Sequence, residues 1–102
     1  MNIGFWVYEQ GDLSLSTIQS LYLDRERYRV STTKYDAGSQ FCGTMKRGKV
    51  IVYRGACDFT VENKTFFCSE GAVLEEHDSC NYSVQVSDTG CQLVYVCYLP
   101  VS

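Results

Sequence analysis

The feature that most constrains this chain is a period-two alternation of apolar and polar residues, interrupted at short intervals by glycine and other turn formers. Between Ala56 and Glu62, the residues Cys57, Phe59 and Val61 alternate with Asp58, Thr60 and Glu62. From Asn81 to Val86, Tyr82, Val84 and Val86 alternate with Asn81, Ser83 and Gln85. A strand turns successive side chains to opposite faces, so each stretch reads as a strand with one face on a core. Further strands are expected over Ile3 to Tyr8, Arg27 to Lys34, Lys49 to Arg54, Thr65 to Cys68, Ala72 to Glu75 and Cys91 to Leu99. Between them stand Gly11-Asp12, Ala37-Gly38, Arg47-Gly48, Gly55, Glu62-Asn63, Glu70-Gly71 and Thr89-Gly90. Short strands at such regular spacing make a sandwich or a barrel. Only Ser14 to Leu23 offers helical spacing, through Leu15, Ile18 and Tyr22, and its Ser, Thr and β-branched content favours extended structure instead. The expectation is one all-β domain over residues 1–102, with N-terminal strands in 1–24 and an antiparallel barrel in 25–99.

A length of 102 residues suits one core, and 45% apolar residues with a single proline lie far from the composition of disordered chains. Charge is segregated. All nine Lys and Arg lie between Arg25 and Lys64, and none follows Thr65, where Glu70, Glu75, Glu76, Asp78 and Asp88 stand. That acidic tail argues against nucleic acid as a partner. No stretch approaches the roughly 18 uninterrupted apolar residues of a membrane span. The first residues have no basic segment followed by an apolar run, so no export signal is read and a cytoplasmic location is expected. The six cysteines contain no C-x-x-C pair and sit mostly among β-branched and aromatic residues, which favours reduced, buried thiols over disulfides or zinc.

The run Val50-Ile51-Val52-Tyr53-Arg54-Gly55, followed by Ala56 to Val61, Asn63, Phe66-Phe67 and Glu70-Gly71-Ala72-Val73-Leu74, resembles the heart of the cupin superfamily. The match spans about residues 36 to 99 and implies a double-stranded β-helix, or jelly roll. Cupins hold a metal through the motifs G-x5-H-x-H-x3,4-E-x6-G and G-x5-P-x-G-x2-H-x3-N. Anchored on Gly55, the first motif sets its glutamate at Gly48 and its histidines at Cys42 and Thr44. Anchored on Gly71, the second sets its proline at His77, its glycine at Ser79 and its histidine at Tyr82. One thiol and one phenol do not make an oxygen and nitrogen site. The resemblance therefore implies no metal, no other cofactor and no catalytic residues of the family's oxygenases.

His77 is the one histidine, and among Glu75, Glu76 and Asp78 it reads as an exposed charged loop residue. Glu75 and Glu76 are adjacent in a strand, so they face opposite ways and cannot share a proton. Lys46-Arg47-Gly48-Lys49 with Arg54 is the densest basic cluster. Tyr28, Tyr53, Tyr82 and Tyr95 fall within strands, where a buried phenol needs a partner or a ligand. These features point to a metal-free binding module for a small ligand or a protein partner. Its site is placed in the barrel at Tyr82, Thr44 and Cys42, with Lys46 or Arg54 supplying charge at the mouth. The alternatives are a metal-independent enzyme, resembling small sugar isomerases or nucleoside phosphorylases, and an inhibitor carried by a mobile element. A homodimer is expected as well, because the apolar run Ile3 to Tyr8 would be an exposed edge unless paired, with Trp6 as its anchor.

Overall fold

Two long antiparallel strands carry the architecture of the computed structural model, which describes residues 1–100. They are the fourth and the seventh of seven: β1 (Asn2–Phe5), β2 (Tyr28–Tyr35), β3 (Gln40–Met45), β4 (Gly48–Val61), β5 (Lys64–Ser69), β6 (Ala72–Glu76) and β7 (Cys80–Tyr98). A 3-10 turn (Tyr8–Gln10) and one helix, α1 (Leu15–Leu21), are the other elements of the described residues. β4 and β7 stay paired from Gly48↔Cys97 to Val61↔Tyr82, with register shifts between Val52 and Arg54 and between Gly55 and Cys57. These irregularities bend the pair and fold one sheet into two leaves. The first leaf has the order β1-β6-β4-β7-β2; in the second, β5 flanks β4 and β3 flanks β7. The result is the expected antiparallel jelly-roll barrel in one domain.

Each long strand was expected as two, with turns at Gly55 and at Thr89-Gly90. The structure carries both strands through these glycines, which adopt φ of 78° and 74°. A Cβ added to Gly55 would lie 2.1 Å from the Gly90 carbonyl oxygen, so the two backbones touch at the bend. Left-handed φ and close approach both require glycine, and neither needs the chain to reverse. Glu62 and Asn63, at φ of 51° and 66°, do make the anticipated tight hairpin between β4 and β5.

The segment 14–23 is a correction. Ser14 accepts from the Thr17 backbone N–H at 3.1 Å and caps a helix over Leu15–Leu21. Residues 1–24 therefore supply one strand, a 3-10 turn and a helix, not a set of strands. Burial overrides the weak propensity: Ile18 is fully enclosed and packs with Trp6 and Leu13 on Ile51, Val94 and Val96. Burying one such side chain stabilises the fold by roughly 1.5–3 kcal/mol. The first leaf is thus covered on both faces. Its inner face meets the second leaf in the main core, where Val50, Val52, Leu74 and Leu93 pack with Cys57, Phe59, Val84 and Val86.

The core holds thiols as hydrophobes. Cys57 is 1% exposed, and burial first, then Cys91 and Cys68, push its thiol from 9.0 up to about 12. The folded protein thus keeps a proton that the unfolded chain loses above pH 9. This contribution is whole below about pH 9 and is lost as pH rises through about 12; Cys68, raised to about 11, acts in the same direction. Urea titrations should show stability falling between about pH 9 and about pH 11, with a shallower fall in Cys57→Ala. Equal slopes in the two proteins would refute the assignment.

Candidate functional site

β3 decides what lines the barrel at the positions of the first motif. It pairs Gly43 with Tyr82 and Cys42 with Ser83. Phe41 and Met45 pack on the core, whereas Cys42 and Thr44 are exposed. A one-residue slip exchanges the two faces of a strand, and the shorter motif spacing had selected the outer one. The longer spacing moves the two histidine positions to Phe41 and Gly43. At the glutamate position no side chain fits, because a Cβ on Gly48 would lie 2.3 Å from the Val96 carbonyl oxygen. The inward donor set is then one phenol, Tyr82, which does not suit a metal of the family's kind. Among the described residues no group of three or more His, Cys, Asp or Glu is placed to bind one.

Aromatic rings fill this place. Tyr82 stacks on Phe59 at 4.9 Å between centroids, and Tyr35 on Phe41 at 4.2 Å. Tyr82 also lies over β3, and a Cβ on Gly43 would come within 3.0 Å of its hydroxyl. The hydroxyls of Tyr35 and Tyr95 are hydrogen-bonded at 2.8 Å. Burial raises the pKa of Tyr82 and Tyr95, and the hydrogen bond to Tyr35 raises that of Tyr95 further, so both stay neutral phenols. Three half-buried tyrosines, Tyr35, Tyr82 and Tyr95, thus gather with Phe41 and Phe59 on the core between the leaves. They offer neutral hydrogen bonding and a stacking surface. Sequence reasoning found Tyr82 and Tyr95 but missed Tyr35, Phe41 and Phe59. The alternation of Phe41, Gly43 and Met45 was the available signal, obscured by the glycine in its centre.

The five candidate residues are not brought together. Tyr82 faces inward with Val84 and Val86. Cys42 lines a shallow depression outside the second leaf with Thr60, Ser83 and Gln85. Thr44 donates to the Asn81 side chain at 2.8 Å on that same outer face. Lys46 borders a groove with Asp78 and Ser79. Arg54 lies over the Tyr53 ring at 4.1 Å and pairs with Glu70 at 2.8 Å. Tyr53 packs on the helix-covered side, so Arg54 is not at the mouth of the barrel. His77 is exposed, 3.6 Å from Glu75. Glu75 and Glu76 diverge: Glu75 accepts from the Tyr98 hydroxyl at 2.6 Å, and Glu76 accepts from the backbone N–H groups of His77 and Asp78. The Asp78 N–H is the main reason that the Glu76 carboxyl sits below its ordinary pKa.

The fold is that of a cupin. Several solved structures carry the likeness, three of which illustrate it. These three are salicylate 1,2-dioxygenase from Pseudaminobacter salicylatoxidans, the EutQ protein of Clostridium difficile and an RmlC-like cupin from Shewanella frigidimarina. The first aligns with TM-score 0.62 at 16% identity over 70% of this chain and 21% of its own. EutQ gives 0.62 at 16% over 74% and 59%, and the RmlC-like cupin 0.62 at 13% over 74% and 68%. The chain therefore spans about a fifth of the dioxygenase, and the likeness is one of fold. No family model and no curated protein matches the sequence.

The placement of the thiols is open to a direct check. A thiol-specific dye should react with native protein first at the exposed Cys42 and Cys97, while Cys57, Cys68 and Cys91 react only on unfolding. Peptide mapping that finds Cys42 protected would return it to the barrel interior.

Proposed function

We propose that this chain is a binding module and not an enzyme, taking a small neutral ligand at the tyrosines between its two leaves. One observation carries the reading: where the resemblance calls for metal ligands, Tyr82 stands as a neutral phenol stacked on Phe59, on the same core as the hydrogen-bonded pair Tyr35 and Tyr95. Phenols held neutral by burial neither abstract protons near pH 7 nor hold a divalent metal. They do recognise hydroxyls and stack on flat faces. The one histidine is exposed outside the barrel, and so adds no acid or base to these rings. A nucleoside or a sugar fits this chemistry.

Native mass spectrometry of the purified protein should reveal a retained ligand, and thermal shifts with a panel of nucleosides and monosaccharides should identify its class. Tyr82→Phe removes one hydroxyl and keeps the ring on Phe59. It should weaken a ligand found in this way by about fivefold to tenfold, the equivalent of one hydrogen bond, with little change in melting temperature. Lost stability with unchanged binding would make Tyr82 a core residue and sink the proposal.

The reading also includes a homodimer. Trp6 does not serve as its anchor, since it is 6% exposed in its own chain and donates to the Gly11 carbonyl at 3.0 Å. Phe5, Val7 and Tyr8 are the exposed apolar residues of this segment, at 78%, 55% and 65%. β1 also has a free edge, which supports pairing with a second copy. Phe5→Asp is expected to turn the dimer into a folded monomer in analytical ultracentrifugation. A wild-type chain that stays monomeric at high concentration would overturn this part of the reading.

A further inference from the structure

Among the described residues β2 ends the strand order of the first leaf, with β7 on one side and no strand on the other. The Leu99 N–H donates to the Arg27 carbonyl at 2.7 Å, and the next pair in register is Tyr28↔Tyr98. Hydrogen-bonded and non-hydrogen-bonded pairs alternate along an antiparallel ladder. The N–H and C=O groups of Val30, Thr32 and Lys34 and the Tyr28 C=O therefore point away from β7 into the edge, while the Tyr28 N–H, also turned away, donates to the Asp24 carbonyl at 2.9 Å. Beside this open edge the end of α1 raises a wall. A groove of about 460 Å³ lies between them, lined by Gln19, Tyr22, Leu23, Arg25, Tyr28 and Arg29 among others. Leu23 is 73% exposed there.

The charge of the groove is positive and uncommitted. Asp24 is paired with Arg27 at 3.6 Å, and Glu26 does not line the groove. Among the described residues neither Arg25 nor Arg29 makes an ion pair. We propose that this edge binds an extended acidic peptide segment of a protein partner. The segment adds as a strand beside β2, sets its carboxylates against Arg25 and Arg29 and its apolar side chains against Leu23. A second copy of β2 is a poor occupant, because the strand holds Arg29 and Lys34 and no carboxylate, so self-pairing sets cations against cations or neutral groups. A small organic anion would use the guanidinium groups but leave the outward backbone groups of the edge unpaired.

The test uses the intact protein and a fluorescein-labelled peptide of alternating Val and Glu, followed by fluorescence anisotropy. Its controls are the same peptide with Lys for Glu, and two versions N-methylated on one or the other set of alternate residues. The Glu peptide should bind about tenfold or more tightly than the Lys peptide, and N-methylation of one set only should abolish binding. Arg25→Glu with Arg29→Glu, both at exposed positions, should invert the charge preference while the circular dichroism spectrum is unchanged. Tyr82→Phe should bind the peptide as the wild type does, which separates this edge from the tyrosines between the leaves. Absence of binding, equal binding of the Glu and Lys peptides, or undiminished binding of both N-methylated forms would overturn the proposal. So would equally tight binding of heparin, which has charge but no backbone to pair.

Discussion

The contact between Gly55 and Gly90 is the constraint on which the rest of the molecule depends. An unbent pair of strands as long as β4 and β7 would leave a flat ribbon with one side of its apolar residues in water. Bending both at one level folds that ribbon on itself, so that Val50 and Val52 before the bend face Cys57 and Phe59 after it. The bend needs left-handed backbone in both strands, and it needs the two chains to touch. Any Cβ at Gly55 would meet the opposing carbonyl. A side chain there would force the strands apart, and every pairing built on them would have to shift.

Closure by bending has a consequence for the site. The two leaves meet over a core of branched and aromatic side chains, and the inward positions nearest the opening are taken by rings. Tyr82 stacks its ring on Phe59 and lays its hydroxyl over Gly43, while Tyr35 covers Phe41 from the other leaf. Gly48, pressed on the backbone of β7, contributes no side chain. The architecture that elsewhere supports a polar centre here supports an aromatic one, in which the Tyr35 and Tyr95 hydroxyls are bonded to each other. That bond lowers the cost of burying the two hydroxyls that make it.

Much of this was legible in the chain, and the failures have definite causes. Alternation from Asn81 to Val86 correctly turned Tyr82 inward, since that strand has large residues at every inward position. Across β3 the shorter motif spacing counted back from Gly55 set Cys42 and Thr44 inward, and the true inward row, Phe41, Gly43 and Met45, lacks the central side chain that would have exposed the slip. Glycines at 55 and 90 read as turns because positive φ is the usual mark of one, and nothing local distinguishes a bend within a long strand. The helix at Leu15–Leu21 was visible by another route. The runs Val50-Ile51-Val52 and Leu93-Val94-Tyr95-Val96 do not alternate, and a strand apolar on both sides must be covered on both sides. Something outside the barrel had to bury Ile51, Val94 and Val96. The residues that do so, Trp6, Leu13 and Ile18, are set by tertiary packing and not by helix propensity.

The charge segregation of the sequence takes on a different meaning in the fold. The acidic end of β6 is engaged from within: Glu75 accepts from Tyr98 and lies 3.9 Å from Lys49, and Glu76 faces the N-terminal ammonium at 3.6 Å. Arg54, which by sequence looked available at the mouth, holds Glu70 and lies on Tyr53, and so ties β4 to the turn that leads into β6. A charge engaged in this way must first give up its internal partner before it can serve another molecule, and that loss offsets what the new contact gains. Net charge by segment is therefore a poor guide to recognition, and the commitment of each charge is a better one. By that measure Glu70, Glu75 and Glu76 are structural, whereas Arg25 and Arg29, on the margin of an unpaired strand, keep their full attraction for an anionic partner.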